Sequence, residues 1–310
     1  MCGIAGIIYR NGAHNVGRDM TQMLQSMKHR GPDSTGYALY GPGEGKSLVM
    51  RYKLADSNDA RDFEFAQRLR QHKAEVDNRL AHLGARVIDS EEETEYAYRV
   101  KLHYDGDIKK LADYVEDVPH VEVLSLGHTL EIVKDLGDAN TVCAQYELDG
   151  FSGTHAIGHV RMATESDVDI SGAHPYWAYP FNDVAVVHNG QLTNYFMWRR
   201  RLERSGHRFQ SECDSEIIAV YLAEKMSEGL ELEEAMRKSL DELDGVFTYM
   251  CVTKDALGVC KDEMAAKPLV LFESDEVVAL ASEEIAIRAV IDREIDTYDP
   301  YEREVLVWKL

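Results

Sequence analysis

MCGIAGIIYR, residues 1–10, raises the first question about fold and function, because it joins a cysteine at position 2 to a glycine and an apolar run. The stretch is rich in isoleucine, which favours a buried β-strand. Cys2 is either a small buried side chain at the start of that strand or the first residue after removal of Met1. In the second case one residue carries a thiol and an α-amine that can act as its base. Free α-amines titrate at about 7.7–8.0, so a useful fraction is neutral at physiological pH.

Composition restricts the class of protein. The chain has 310 residues, of which 45% are hydrophobic, so it can bury a large core in one domain or two. Its net charge of −21 disfavours nucleic acid and anionic membranes as partners. No segment reaches the roughly 18–20 apolar residues of a membrane span, and the first residues lack the features of a signal peptide. We therefore expect a cytoplasmic protein.

The cysteines agree with a reducing compartment. The chain has five, an odd number, and none lie in a CxxC motif, which argues against a disulfide framework and against a cysteine-rich metal site. We expect no metal and no cofactor in this chain. The cysteines are Cys2, Cys143, Cys213, Cys251 and Cys260.

Apolar periodicity predicts mixed helices and strands. Met20, Met23, Leu24 and Met27 recur at helical spacing, which favours a core-facing helix over a cofactor-binding stripe. From Gly45 to Gly150 the chain becomes more charged but keeps its periodicity. We predict an inserted α/β subdomain over 45–150 rather than a disordered linker. Later segments alternate strands and helices, with hairpins at KDALGV and ESDEVV.

Several short segments allow both a structural and a functional interpretation. Asn189-Gly190 is a typical hairpin turn, but an Asn amide beside a backbone N–H can also form an oxyanion hole. Arg161 ends a predicted strand and is either a surface residue or a bidentate ligand for a carboxylate. Asp214 precedes an apolar helix and is either its N-cap or a carboxylate that binds an ammonium group. The segments around Arg30 and His174 are by default a Pro-Asp turn and a loop.

The order of these segments resembles the class II glutamine amidotransferases, which are N-terminal nucleophile hydrolases. The resemblance covers the stretch from Cys2 to Glu216, and the later strands are compatible with it. It implies an α+β fold, a four-layer αββα sandwich, with one glutaminase domain over 1–310. The matching segments are MCGIAGI, RGPDSTG, GHVRMAT, AHPY, VVHNGQLTN and ECDSE.

The resemblance also implies roles. Cys2, freed of Met1, is the nucleophile, and Asn189 with the Gly190 N–H forms the oxyanion hole. The substrate is glutamine or a γ-glutamyl amide. Its binding and supporting residues divide into three groups: Arg161 and Thr164 for the α-carboxylate, Asp214 for the α-ammonium, and Arg30 and His174 in support near the site.

Some positions depart from the family pattern. Members often have an aromatic residue after the motif arginine and His or Ser after the motif threonine, where this chain has Met162 and Glu165. Met162 falls in the loop that covers glutamine in the family, so lid closure and substrate choice can differ here. The insertion over 45–150 is also larger than in the simplest members.

The sequence shows no synthase segment, so the resemblance implies a separate synthase subunit as partner. In organisation the chain is similar to the amidotransferase subunit of glutamate-synthase-like complexes, N-methylglutamate synthase in particular. The resemblance then places a flavin in the partner. Two alternatives stay open: a free-standing γ-glutamyl amide hydrolase, and a non-catalytic regulatory module with this fold.

Overall fold

The computed structural model describes most of the chain. Met1, Thr164 and Glu165 lie outside the described residues, so the expectations for them stay predictions. The described residues are 2–43, 45–55, 64–162, 172–179, 181 and 183–310.

A six-stranded antiparallel sheet contains the opening strand. Its order is β13-β14-β1-β8-β2-β7, so the N-terminal strand lies near the centre and is buried along almost its whole length. The apolar, isoleucine-rich composition predicted this. The strands are β1 (Gly3–Tyr9), β2 (Ser34–Tyr40), β7 (Leu130–Leu136), β8 (His155–Arg161), β13 (Val270–Glu273) and β14 (Val277–Ala281).

A five-stranded antiparallel sheet, ordered β15-β12-β11-β10-β9, packs against the first. The two predicted hairpins, β11–β12 and β13–β14, are confirmed. The five strands are β9 (Tyr176–Trp177), β10 (Ala185–Leu192), β11 (Gly245–Thr253), β12 (Ala256–Lys261) and β15 (Val305–Lys309).

Helices cover both outer faces. Three contact the six-stranded sheet: α1 (Val16–Ser26), α4 (Ala139–Gln145) and α8 (Glu284–Arg288). On the other side α6 (Asp214–Ser227) and α7 (Leu232–Glu242) contact the five-stranded sheet, and α5 (Tyr195–Arg204) packs on α6. The layers run helix, sheet, sheet, helix, so the predicted αββα sandwich is confirmed. The methionine-rich stripe of α1 is fully buried, also as predicted. None of the described helices is long and apolar enough to cross a membrane.

A third sheet, ordered β4-β5-β3-β6, lies within the range predicted as an inserted subdomain. The helices α2 and α3 accompany it, whereas β7, which falls in the same range, belongs to the six-stranded sheet. The boundaries of the subdomain at 45 and 150 therefore stay a prediction. The elements are β3 (Leu48–Lys53), α2 (Phe65–His82), β4 (Arg86–Glu92), β5 (Ala97–His103), α3 (Ile108–Glu116) and β6 (Glu122–Gly127).

Strand register brings the ends of β1 and β8 together. Gly3 pairs with Val160, so Cys2 and Arg161 each lie one residue beyond that pair, where the two neighbouring strands end on the same side of the sheet. The strand β2 begins at the same place, because its first residue, Ser34, pairs with Arg161. Pairing of these strands therefore places the predicted nucleophile beside the predicted carboxylate ligand.

Candidate active site

The backbone of Cys2 is held by two side chains from distant parts of the sequence. Its carbonyl oxygen accepts hydrogen bonds from Arg30 Nε at 3.1 Å and from Asn189 Nδ2 at 3.3 Å. Arg30 is buried and forms an ion pair with Glu283 at 2.6 Å. The structure thus brings Arg30 and Asn189 to Cys2, where they fix the position of its backbone.

The other four cysteines are poor candidates for a nucleophile. Burial raises the pKa of the thiols of Cys251 and Cys260 to about 12, and it also raises the pKa of Cys143. The pKa of Cys213 is raised first by burial and then by the neighbouring charge of Asp214. A raised pKa keeps a thiol protonated, and the thiolate is the nucleophile. Cys2 is half-buried at the end of its strand.

Asn189 and Gly190 do not form a hairpin turn, although Asn-Gly usually does. Both lie inside β10, where Asn189 pairs with Thr248 and Gly190 with Phe247 on β11. Gly190 has a φ of +148°, and an added Cβ would collide with the carbonyl oxygen of Val246. Glycine is therefore required here for a close approach of two strands, and the turn interpretation was wrong.

Arg161 is half-buried at the end of β8, and glycines surround it. A Cβ on Gly172 would lie 2.7 Å from Arg161 Nη2, so that glycine makes room for the guanidinium group. A Cβ on Gly31 would collide with the Arg161 backbone, which accounts for the first of the two glycines in RGPDSTG. The second predicted carboxylate ligand, Thr164, lies outside the described residues.

Asp214 is the first residue of α6 but not its N-cap, which is Cys213. Its Oδ2 accepts a hydrogen bond from the backbone N–H of Leu192 at 2.8 Å, at the end of β10. Burial alone would raise the pKa of Asp214, but the hydrogen bond and charge of His188 and the Leu192 amide outweigh it, and the pKa lies below its usual range. The side chain is thus a half-buried carboxylate that stays charged, which suits an ammonium ligand.

His174 takes part in a hydrogen-bond chain that leads to Asp214. The backbone N–H of His188 donates to His174 Nδ1 at 3.2 Å, so a neutral His174 carries its proton on Nε2. That nitrogen lies 3.1 Å from Ser215 Oγ, which is 2.8 Å from His188 Nδ1 and 3.4 Å from Asp214 Oδ1. The supporting role predicted for His174 stays a prediction, and this geometry offers a physical route for it.

Three buried histidine rings, two of which belong to this hydrogen-bond chain, are stacked. The ring centroids of His159 and His174 are 4.1 Å apart, and those of His174 and His188 are 6.3 Å apart. Burial, followed by the nearby charges of His188 and Arg161, lowers the pKa of His159 to about 3. Burial and the neighbouring histidines also hold the pKa of His174 well below its usual range. Both rings are therefore neutral near pH 7.

The sequence analysis did not identify Ser215, His188, Ser282 or Glu283 as parts of this region. Ser282 and Glu283 follow β14, and Ser282 Oγ accepts a hydrogen bond from the Ile4 N–H at 3.0 Å. Ser215 and His188 lie inside the quoted segments ECDSE and VVHNGQLTN, so attention to neighbours of the motif residues would have found them. Ser282 could not be found in this way, because it lies 278 positions from Ile4 in the sequence and outside the quoted segments.

Within the described residues, no group of three or more His, Cys, Asp or Glu side chains is arranged to hold a metal ion. The expectation that this chain carries no metal or cofactor stays a prediction. The predicted site residues offer a thiol, an amide donor, a guanidinium and a carboxylate. Such a set fits a zwitterion that carries a distal amide.

Comparison with known proteins identifies similar chains. Residues 159–289 match the family profile of the glutamine amidotransferase domain. A protein of Methanothermobacter thermautotrophicus, provisionally named as a glutamine amidotransferase, is 39% identical over 98% of this chain and 99% of its own length. The glutamine amidotransferase-like protein GlxB of Rhizobium meliloti is 34% identical over 99% of this chain and 98% of its own length.

Among solved structures, the glutamine phosphoribosylpyrophosphate amidotransferase of B. subtilis, complexed with ADP and GMP, has a similar fold. Its TM-score is 0.61 at 19% identity, and the match covers 99% of this chain and 47% of that one. This chain therefore spans about half of that protein. At this level of identity the likeness concerns the fold alone.

Proposed function

This chain belongs to the class II type of glutamine amidotransferases, and from that premise we propose that it hydrolyses the γ-amide of glutamine, or a γ-glutamyl amide, through a thioester on Cys2. One observation supports this most strongly. Arg30 and Asn189, which lie 159 positions apart in the sequence, both donate hydrogen bonds to the carbonyl oxygen of Cys2. Both bonds fix the backbone of Cys2, and a nucleophile held in a fixed position is what attack on a bound amide requires.

The first half of the reaction forms the thioester. After removal of Met1, the α-amine of Cys2 takes the thiol proton, and the sulfur attacks the γ-carbonyl carbon of the substrate. The carbonyl oxygen gains negative charge, which the Asn189 side-chain amide and the Gly190 N–H stabilise. The carbon–nitrogen bond then breaks, the ammonium group of Cys2 returns its proton to the leaving nitrogen, and ammonia or an amine departs.

The second half regenerates the enzyme. Water gives a proton to the α-amine and attacks the thioester carbon, and the same donors stabilise the oxyanion. The carbon–sulfur bond then breaks, the ammonium group of Cys2 returns the proton to its sulfur, and glutamate departs. Orientation comes from the two ends of the substrate. Arg161, with Thr164, binds the α-carboxylate and Asp214 binds the α-ammonium, which holds the reacting carbon over the sulfur.

We further propose that the released ammonia or amine passes to a separate synthase subunit. The match of residues 159–289 to the glutamine amidotransferase domain supports this, because an amidotransferase passes the nitrogen released from glutamine to an acceptor. A glutamate-synthase-like flavoprotein, as in N-methylglutamate synthase, is the partner that the organisation of the chain favours. The flavin then belongs to that partner, and Met162 couples the two sites.

The experiment measures ammonia and methylamine release from glutamine and γ-glutamylmethylamide, for the chain alone and with the candidate synthase after co-purification at native expression level. We expect low activity alone and a rise in the complex. A monodisperse chain that is fully active and binds no synthase would favour the free-standing amide hydrolase. A chain that is inactive in both states would favour the non-catalytic module.

A further inference from the structure

The segment that leads into Asp214 is held by the inserted region of the fold. Residues 207–213 lie between α5 and α6, and Arg208 and Gln210 in this segment contact α3 and β6. Here Gln210 Nε2 donates to Glu116 Oε1 at 2.5 Å and to the backbone oxygen of Val123 at 3.1 Å. One side chain of the segment is thus bonded to both a helix and a strand of the insertion.

Glu116 is well placed to act as an anchor. Its side chain is only 6% exposed, and its Oε1 also accepts a hydrogen bond from the Val123 N–H at 2.8 Å. Its Oε2 forms an ion pair with Arg208, which in turn lies 3.2 Å from Asp113 on the same helix. A buried carboxylate needs such partners, so the contact between α3 and this segment is a specific one.

The opposite side of the segment is bonded to the helix that carries Asp214. The backbone N–H of Gln210 donates to Glu216 Oε1 at 2.7 Å, and the N–H and hydroxyl of Ser211 donate to Glu216 Oε2 at 2.8 and 2.7 Å. Ser211 Oγ also accepts from the Cys213 N–H at 3.1 Å. Glu216 is buried in the first turn of α6.

We propose that Glu116 and Gln210 are positioning residues for Asp214, so that the inserted region sets the geometry of the ammonium-binding carboxylate. The proposal rests on the proposed function, because it takes Asp214 as the ligand of the substrate α-ammonium. A hydrogen-bonded path runs from α3 through Gln210 to Glu216, two residues beyond Asp214. Loss of the Gln210 side chain leaves Glu116 with one donor fewer, breaks the bond to β6, and leaves Arg208 to hold the segment against α3.

The test compares two substrates, glutamine and glutaramate, which is glutamine without its α-amine. The variants are Gln210→Leu, which keeps the size but removes the amide, and Glu116→Gln, which replaces one of the two carboxyl oxygens with an NH2 group that cannot accept a hydrogen bond. For each we expect kcat/KM for glutamine to fall about 5- to 30-fold, mainly through KM, as for the loss of one or two hydrogen bonds. Turnover of glutaramate should stay within about twofold of wild type, because Asp214 does not bind it.

The matched control is Asp77→Asn, which breaks an exposed ion pair with Lys73 on α2 of the same insertion. It should leave both substrates unaffected. Equal losses for glutamine and glutaramate in both variants, or no loss in either, would overturn the proposal. Wild-type protein without glutaminase activity would instead count against the proposed function, so the two failures are distinguishable.

Discussion

The side-chain amide of Asn189, on the five-stranded sheet, lies 3.3 Å from the carbonyl oxygen of Cys2, at the edge of the six-stranded sheet. The two sheets therefore meet at the residue that we propose as the nucleophile. A donor fixed by a strand keeps its direction better than one on a loop, which is what stabilisation of a developing oxyanion requires.

Replacement of Asn189 with alanine should lower kcat by roughly 10²- to 10³-fold with little change in KM, because an oxyanion donor acts mainly in the transition state. Steady-state ammonia release from glutamine measures this. Gln191→Ala is the control, since its side chain is exposed on the same strand. Normal kcat in Asn189→Ala would mean that the amide only holds the Cys2 backbone.

Replacement of Arg161 with lysine should raise KM for glutamine at least about tenfold while kcat changes less. Lysine keeps the charge but loses the planar fork that binds a carboxylate through two hydrogen bonds. The clearest measurement sets glutamine against an analogue with its α-carboxylate converted to an amide. Arg161→Lys should lower the ratio of kcat/KM for glutamine to kcat/KM for this analogue. An unchanged ratio would mean that Arg161 does not bind the α-carboxylate.

Replacement of Gly190 with alanine should destabilise the protein by about 2–3 kcal/mol, because the added Cβ collides with the Val246 carbonyl at a positive φ. The control is Gly84→Ala, whose φ is +80° but whose Cβ would meet nothing within 4 Å. That variant should lose only about 1–2 kcal/mol, from the left-handed backbone alone. Urea unfolding measures the free energy of unfolding of both variants. Equal losses would show that contact with the Val246 carbonyl adds no destabilisation.

His155 gives a prediction about stability in acid. Burial lowers its pKa to about 4, and its Nε2 lies 2.7 Å from the carbonyl oxygen of Thr253. Between about pH 6.5 and 4 the unfolded chain therefore binds one more proton at this position than the folded chain. The free energy of unfolding should fall there by about 1.4 kcal/mol per pH unit from this group.

The variant His155→Gln should lack that contribution, so its unfolding free energy should depend less steeply on pH over the same range. Urea titrations at several pH values provide the slopes for both proteins. The same slope in wild type and variant would mean that His155 is not held neutral by burial.

The family resemblance implied the sandwich, and local signals in the sequence predicted some of its elements. The isoleucine-rich start and the buried stripe of α1 follow from periodicity, and both were confirmed. The exposed strand β4 was not predicted, since it has no buried face to produce alternation. Its place in the third sheet depends on pairing with β5, which its own residues do not reveal.

The candidate site was harder to predict, because its contacts link distant segments. Asn-Gly usually forms a turn, but here pairing with β11 keeps Asn189 and Gly190 extended. Asp214 has the sequence context of an N-cap, yet its Oδ2 bonds to Leu192 from another element. In both cases tertiary contacts override a local preference. The family resemblance, rather than local pattern, directed attention to these residues.

The most direct test of the account measures ammonia release from glutamine by protein whose intact mass shows that Met1 is absent, beside the variant Cys2→Ala. Cys143→Ala, on α4, serves as the control for loss of a thiol outside the candidate site. We predict that Cys2→Ala releases no ammonia above the buffer blank, whereas Cys143→Ala stays active. Turnover by Cys2→Ala at a rate near wild type, or full activity in protein that retains Met1, would contradict the proposal that Cys2 is the N-terminal nucleophile.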